Sequence, residues 1–114
     1  MGFTTGQHQW KMNIITIGDL HGSPAWKEIR PGEWDNIVFT GDYVDSFDYD
    51  DEEILYNLKE VIAFKKRNPL KVILLWGNHD LGYFFNGERR HLCSGFRRSM
   101  LHTLHAVYRA EEEL

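Results

Sequence analysis

Cysteine is almost missing from this chain: Cys93 stands alone among 114 residues. A single cysteine cannot close an internal disulfide, so a cytoplasmic setting is the simpler expectation. Nothing beside Cys93 suggests activation, and a partly buried structural thiol is expected there. No apolar run is long enough to span a bilayer. The N-terminus also lacks the charged start and apolar stretch of a signal peptide. A basic surplus is absent too: 13 Lys and Arg stand against 17 Asp and Glu, for a net charge of −4. That balance argues against a general nucleic-acid binder, yet leaves phosphorylated substrates open, because a bound metal can dominate the field of an acidic site. Neither G-x-G-x-x-G nor a P-loop occurs, which makes nucleotide binding through a glycine-rich loop a weak reading. No internal repeat or low-complexity segment stands out.

Hydrophobic residues make up 42% of the chain and aromatics 14%, enough for one packed domain. Residues 1–11 are polar and patternless and read as a flexible leader or a remnant of cloning; residues 12–114 are expected to form the domain. Asn13 to Ile17, Ile37 to Thr40 and Lys71 to Trp76 are short apolar runs, each ending at a glycine. Such runs read as buried parallel strands. Ser23-Pro24 fits an N-cap and first helical position, opening a short helix over Ala25 to Ile29. Asp51 to Arg67 reads as the main crossover helix, with acidic residues at its start and Lys65, Lys66 and Arg67 at its end, the signs the helix dipole favours. Beyond Gly77, the stretch Leu81 to His91 contains Gly82, Asn86 and Gly87 and reads as loop. Ser94 to Leu114 reads as a final helix with Phe96, Met100, Leu101, Leu104, Val107 and Tyr108 near one stripe. The alternation of strand and helix predicts an α/β fold with a parallel sheet.

Each strand stops in a loop rich in metal-type ligands: Gly18-Asp19-Leu20-His21-Gly22, Gly41-Asp42-Tyr43-Val44-Asp45 and Gly77-Asn78-His79-Asp80. Ligands of parallel α/β sheets bind beyond the C-terminal strand ends, so Asp19, His21, Asp42, Asp45, Asn78 and His79 are expected along one edge. One Gly-Asp after a strand is ordinary turn chemistry; three such loops in order are much harder to obtain by chance. Carboxylate, imidazole and amide oxygen together suit Mn²⁺, Fe²⁺ or Zn²⁺, and the lack of thiolates disfavours a structural zinc site. A carboxylate can bridge two such ions, and a pair of ions suits in-line displacement at phosphorus, one ion and its hydroxide supplying the nucleophile.

These three blocks resemble the metallophosphoesterase superfamily, the calcineurin-like phosphoesterases. The forms of the first two blocks are most similar to its phosphoprotein phosphatase branch. The resemblance covers roughly Asn13 to Asp80. It implies a βαβαβ parallel-sheet half of a four-layer α/β sandwich and a metal-dependent phosphatase acting on phosphate esters through two divalent ions, with Mn²⁺ expected and Fe or Zn as alternatives. It implies that Asp19 and His21 bind the first metal, that Asp42 bridges both, and that Asn78 binds the second. His79 would protonate the leaving oxygen, oriented by Asp45; a carboxylate beside an imidazole makes independent sense as an acid.

The chain departs from that pattern in three places. The phosphatase branch continues its second block with Arg-Gly, the arginine clamping phosphate, where this chain reads Asp45-Ser46-Phe47. Arg89, Arg90, Arg97 and Arg98 are candidate substitutes, although an arginine cluster is more often a solvated face. The third block ends in Asp80 where that branch usually has Glu. The histidines that complete the family's metal sites from a second half of the fold have no counterpart here. His102 and His105 share a helix face, but their spacing does not match the family and ordinary helix histidines are the better reading, as for His91; His8 has no role. Two functional readings follow: a metal-dependent phosphoesterase whose complete form is longer, or a catalytically impaired interaction module. A parallel sheet needs cover on both faces, so self-association or dependence on a missing C-terminal half is expected.

Overall fold

The computed structural model describes residues 12–111 except positions 31 and 33. The leader and the last three residues of the expected final helix lie outside this range. Three strands form the sheet: β1 (Ile14–Ile17), β2 (Asn36–Phe39) and β3 (Val72–Leu74). They lie in the order β1-β2-β3 and pair in parallel throughout. Ile15 sits opposite Ile37, which sits opposite Val72; Ile17 is opposite Phe39, which is opposite Leu74. The expected α/β arrangement is therefore present, with strand ends within about two residues of those read from the apolar runs.

The main helix, α1 (Asp51–Arg67), has the expected bounds. Its start is fixed by a capping box: the Asp50 side chain accepts from Glu53 N at 2.8 Å, and the Glu53 side chain accepts from Asp50 N at 3.0 Å. At its end Lys65 Nζ donates to the carbonyls of Pro69 and Val72, tying the helix to the first residue of β3. Ile54, Leu58, Val61 and Ile62 of α1 are buried with Ile37, Phe39 and Val72 of the sheet. Alternation along the strands puts the other side chains on the opposite face, where Ile14 is 56% exposed, Ile73 44% and Leu75 47%.

Three expectations about helices need correction. Ala25–Glu28 is a single 3₁₀ turn rather than a helix capped by Ser23; Pro24 precedes it, and Ser23 Oγ accepts only from Ala25 N at 3.3 Å. Its anchor is Trp26, buried with its Nε1 donating to Asn57 of α1. Much of the stretch expected as loop is instead helical: α2 runs over Asn78–Phe84, followed by a 3₁₀ turn at Arg89–His91. Gly82 lies inside α2 because a Cβ there would approach His91 O to 3.1 Å and Phe96 to 3.3 Å; its smallness serves packing rather than breaking. Asn86 and Gly87, both at positive φ, end the helix as a Schellman turn, with Asn86 N donating to Tyr83 O and Gly87 N to Gly82 O. The last helix, α3, covers only Leu101–Ala110 after a 3₁₀ turn at Arg98–Met100. Gly95 at φ 84° precedes that turn, and Arg97 N is spent on the Tyr83 hydroxyl, so the helix cannot begin at Ser94. Among the described residues no helix is long and apolar enough to cross a membrane.

Candidate metal centre

The first two of the three loops that follow the strands carry backbone conformations that most side chains avoid. Among the described residues five non-glycines have positive φ, and four of them are Asp19 (53°), His21 (45°), Asp42 (58°) and Asp45 (63°). Aspartate and histidine enter this region more often than most residues, and such conformations tend to gather at functional sites. The second and third loops touch backbone to backbone. A Cβ on Gly41 would lie 2.0 Å from Gly77 N, and one on Gly77 would lie 2.3 Å from the Asp42 carboxylate. The two glycines are therefore required for the approach itself.

Asp19, His21 and Asp42 come together, each offering a ligand atom within 4.8 Å of the others. His21 Nδ1 lies 2.8 Å from Val44 O. A carbonyl only accepts, so Nδ1 carries the proton and Nε2 presents its lone pair. That Nε2 lies 3.8 Å from Asp19 Oδ1. Metal-binding histidines are commonly oriented in this way by a carbonyl behind the ring. Asp42 is held in turn through Oδ1, which accepts from His79 N at 2.9 Å. Two carboxylates and an imidazole of fixed tautomer fit a borderline divalent ion. Asn78 opens α2 as an exposed residue between Gly77 and His79.

The expected acid pair is also formed. His79 Nδ1 lies 3.0 Å from Asp45 Oδ2, and Asp45 is buried. The other oxygen of Asp45 accepts from the Tyr83 hydroxyl, which itself accepts from Arg97 N at 2.8 Å. Burial, and then the neighbouring Asp45, push the Tyr83 phenol well above its ordinary value, so it stays a donor. The His79 ring meets the His21 ring edge to face at 4.8 Å between centroids, which sets the acid pair beside the ligand cluster. Asp19, His21, Asp45, His79, Phe47 and Ser94 line one cleft of about 430 Å³. A separate cleft of about 490 Å³ between Lys27, Tyr49 and Tyr56 holds none of these ionisable groups.

Two contributors were not legible beforehand. Tyr83 fell in a stretch that read as loop. Asp80 read as a mild change at the end of a motif, yet it is fully buried and accepts from Asp42 N at 2.5 Å, Gly77 N at 2.8 Å, Tyr43 N at 3.1 Å and the Tyr108 hydroxyl. Burial raises the Asp80 carboxyl from its ordinary value, and these four donors pull the other way. The one available signal was its place three residues after a glycine at a helix start, the N3 position that commonly reaches back to the cap.

The candidate phosphate clamps are largely committed elsewhere. Arg97 donates to Asp51 at 2.7 Å and to the carbonyls of Tyr49 and Ser46, so it ties the second loop to α1 instead of facing a ligand. Arg90 pairs with Glu88, Arg98 lies over the Phe96 ring, and Arg89 is exposed. Ser46, standing where the clamp was expected, is buried and accepts from Asp48 N and Tyr49 N. His105 is bonded to Tyr83 O at 2.8 Å, His91 stacks on Phe85 and His102 is exposed, so none of the three joins the cluster. Burial pushes the Cys93 thiol up, and the nearby aspartates act the same way, which fits an unactivated side chain.

A parallel sheet with carboxylates and imidazoles gathered beyond its strand ends places the chain among α/β proteins whose sites are built from loops. Residues 12–112 match the calcineurin-like phosphoesterase family, and the chain belongs to it. It is 35% identical over 72 residues to a protein of Schizosaccharomyces pombe that carries the provisional name of a serine/threonine-protein phosphatase. The match takes in 59% of this chain, which spans 22% of that protein's length. No solved structure matches the chain.

Proposed function

We propose that this chain supplies the metal-binding and proton-donating loops of a phosphate-ester hydrolase. The observation that carries the reading is His21, held by Val44 O with Nε2 toward Asp19 and grouped with Asp42, in the same cleft as the His79–Asp45 pair. Two divalent ions, Mn²⁺ being the expected choice, would supply an acidified water at neutral pH and screen the phosphate oxygens. Asp19 and His21 would hold the first ion, Asp42 would serve both, and Asn78 would serve the second. His79 donates a proton to the leaving oxygen from Nε2. Asp45 fixes the ring through Nδ1, which leaves Nε2 to face the leaving oxygen.

The test is Mn²⁺ titration of the chain by calorimetry, alongside turnover of an aryl phosphate. Saturable Mn²⁺ binding with metal-dependent release of the phenol is expected. Turnover should be low, because Asp19 is exposed and, among the described residues, only three His or carboxylate side chains gather at the cluster beside the expected Asn78. A chain that binds no divalent ion would remove the reading. The second reading, an interaction module without catalysis, is favoured by the exposed apolar face at Ile14, Ile73 and Leu75. It predicts metal binding with no turnover at all, even with saturating Mn²⁺.

A further inference from the structure

We propose that Asp80 and Tyr108 form a brace that sets the position of Asp42, so that α3, a helix outside the three ligand-bearing loops, controls the metal affinity of the site. The inference rests on the reading of Asp42 as a metal ligand. Asp42 is held at both ends by the start of α2. Its side chain accepts from His79 N, and its own N–H donates to Asp80 Oδ2. The same oxygen accepts from Gly77 N, while Oδ1 accepts from Tyr43 N and from the Tyr108 hydroxyl. One carboxylate therefore joins the second loop, the third loop and α3.

The burial of Asp80 gives this arrangement its force. The carboxylate has no exposed surface, so protein donors must replace the water it has lost. Three of them are backbone N–H groups of the two loops, and the only side chain among them is Tyr108. The ring of Tyr108 is itself buried and packs edge to face against Trp76, the residue just before the third loop. Removing the hydroxyl leaves Oδ1 with Tyr43 N alone and frees the carboxylate to shift. Asp42 sits at φ 58°, a conformation the backbone does not keep without restraint, so the loss is felt first there. Residues that orient metal ligands from behind typically alter metal affinity ~10–100-fold when removed. A residue that merely fills the core would lower stability and leave the affinity of the folded fraction alone.

Tyr108→Phe tests the brace, with Val61→Ala, a buried α1 residue outside the three loops, as a core control. In the 114-residue chain, Tyr108→Phe should weaken Mn²⁺ binding ~10-fold or more at a temperature where circular dichroism shows it folded. In the metal-free protein it should also speed amide exchange at Asp42 and Tyr43. Val61→Ala should lower Tm while keeping wild-type Mn²⁺ affinity. Folded Tyr108→Phe with wild-type affinity would overturn the brace. If that variant does not fold, coupling in the wild-type chain decides instead, because an effect of the brace on metal binding requires an equal effect of metal on the brace. Diamagnetic Zn²⁺ should then slow exchange at Tyr43 N and shift the Tyr108 ring resonances, and unchanged signals on saturation would overturn the proposal. Asp42→Asn separates the two claims. Loss of Mn²⁺ affinity in Asp42→Asn but not in Tyr108→Phe removes the brace and keeps the metal reading, whereas a wild-type chain that binds no metal removes both.

Discussion

His79 and Asp42 meet through one hydrogen bond but are assigned opposite tasks. The His79 ring is bonded to Asp45 through Nδ1, whereas only its backbone N–H reaches Asp42. In a catalytically complete form, His79→Asn should therefore lower kcat by roughly 10²–10⁴-fold, the usual worth of general acid help, with metal content retained on elemental analysis. Asp45→Asn should fall in the same direction but less steeply, because Tyr83 still holds the side chain at that position. Wild-type turnover in the His79 variant would take it out of the mechanism. Asp42→Asn should instead weaken Mn²⁺ binding more than substitution of any other expected ligand, since a shared carboxylate serves both ions. Calorimetry showing unchanged affinity would end that assignment.

Arg97 governs how one element meets another. Its guanidinium lies between the segment after Asp45 and the first residue of α1, bonded to Asp51 and to two carbonyls. Arg97→Ala leaves those acceptors without a charged donor, and a loss of about 1–2 kcal/mol is expected by denaturant titration. The contribution is also pH-dependent. Hydrogen bonds from Arg97 and then Ser99 hold the Asp51 carboxyl below its ordinary value. A depressed carboxyl stabilises the folded state above the ordinary carboxylate range and loses that contribution as pH falls through its folded value. The advantage of wild type over Arg97→Ala should consequently narrow as pH falls through and below the ordinary carboxylate range. A difference that stays constant over this window would show that Asp51 takes no part in the tie.

At the scale of the whole molecule the described residues cover the sheet on one side. Alternation places Ile14, Ile73 and Leu75 on the bare face, all substantially exposed, with Val38 between β1 and β3 on the same side. Contiguous apolar surface of this kind drives association in water. The chain is expected to sediment as more than a monomer at micromolar concentration, and the double variant Ile73→Lys, Leu75→Lys should return it to a monomer without loss of helical signal. A wild-type chain that sediments as a monomer under the same conditions would show that the face is tolerated in solvent.

The sequence by itself determined the elements whose cause is local. Gly-bounded, β-branched runs marked the three strands, and the charge pattern with Asp50 and Glu53 set α1 to the residue. Three strands ending in Gly-Asp or Gly-Asn also implied one shared edge, since side chains beyond parallel strand ends have nowhere else to go. What only the tertiary structure decided depends on partners distant along the chain. Gly82 belongs to a helix because Phe96 and the carbonyl of His91 need its space. Arg97 is structural because Asp51 lies within its reach, and α3 starts late because Arg97 N goes to Tyr83. Asp80 and Tyr108 showed no sign of their bond, because a tyrosine in an apolar helical stripe looks the same whether its hydroxyl faces solvent or a buried carboxylate 28 residues away.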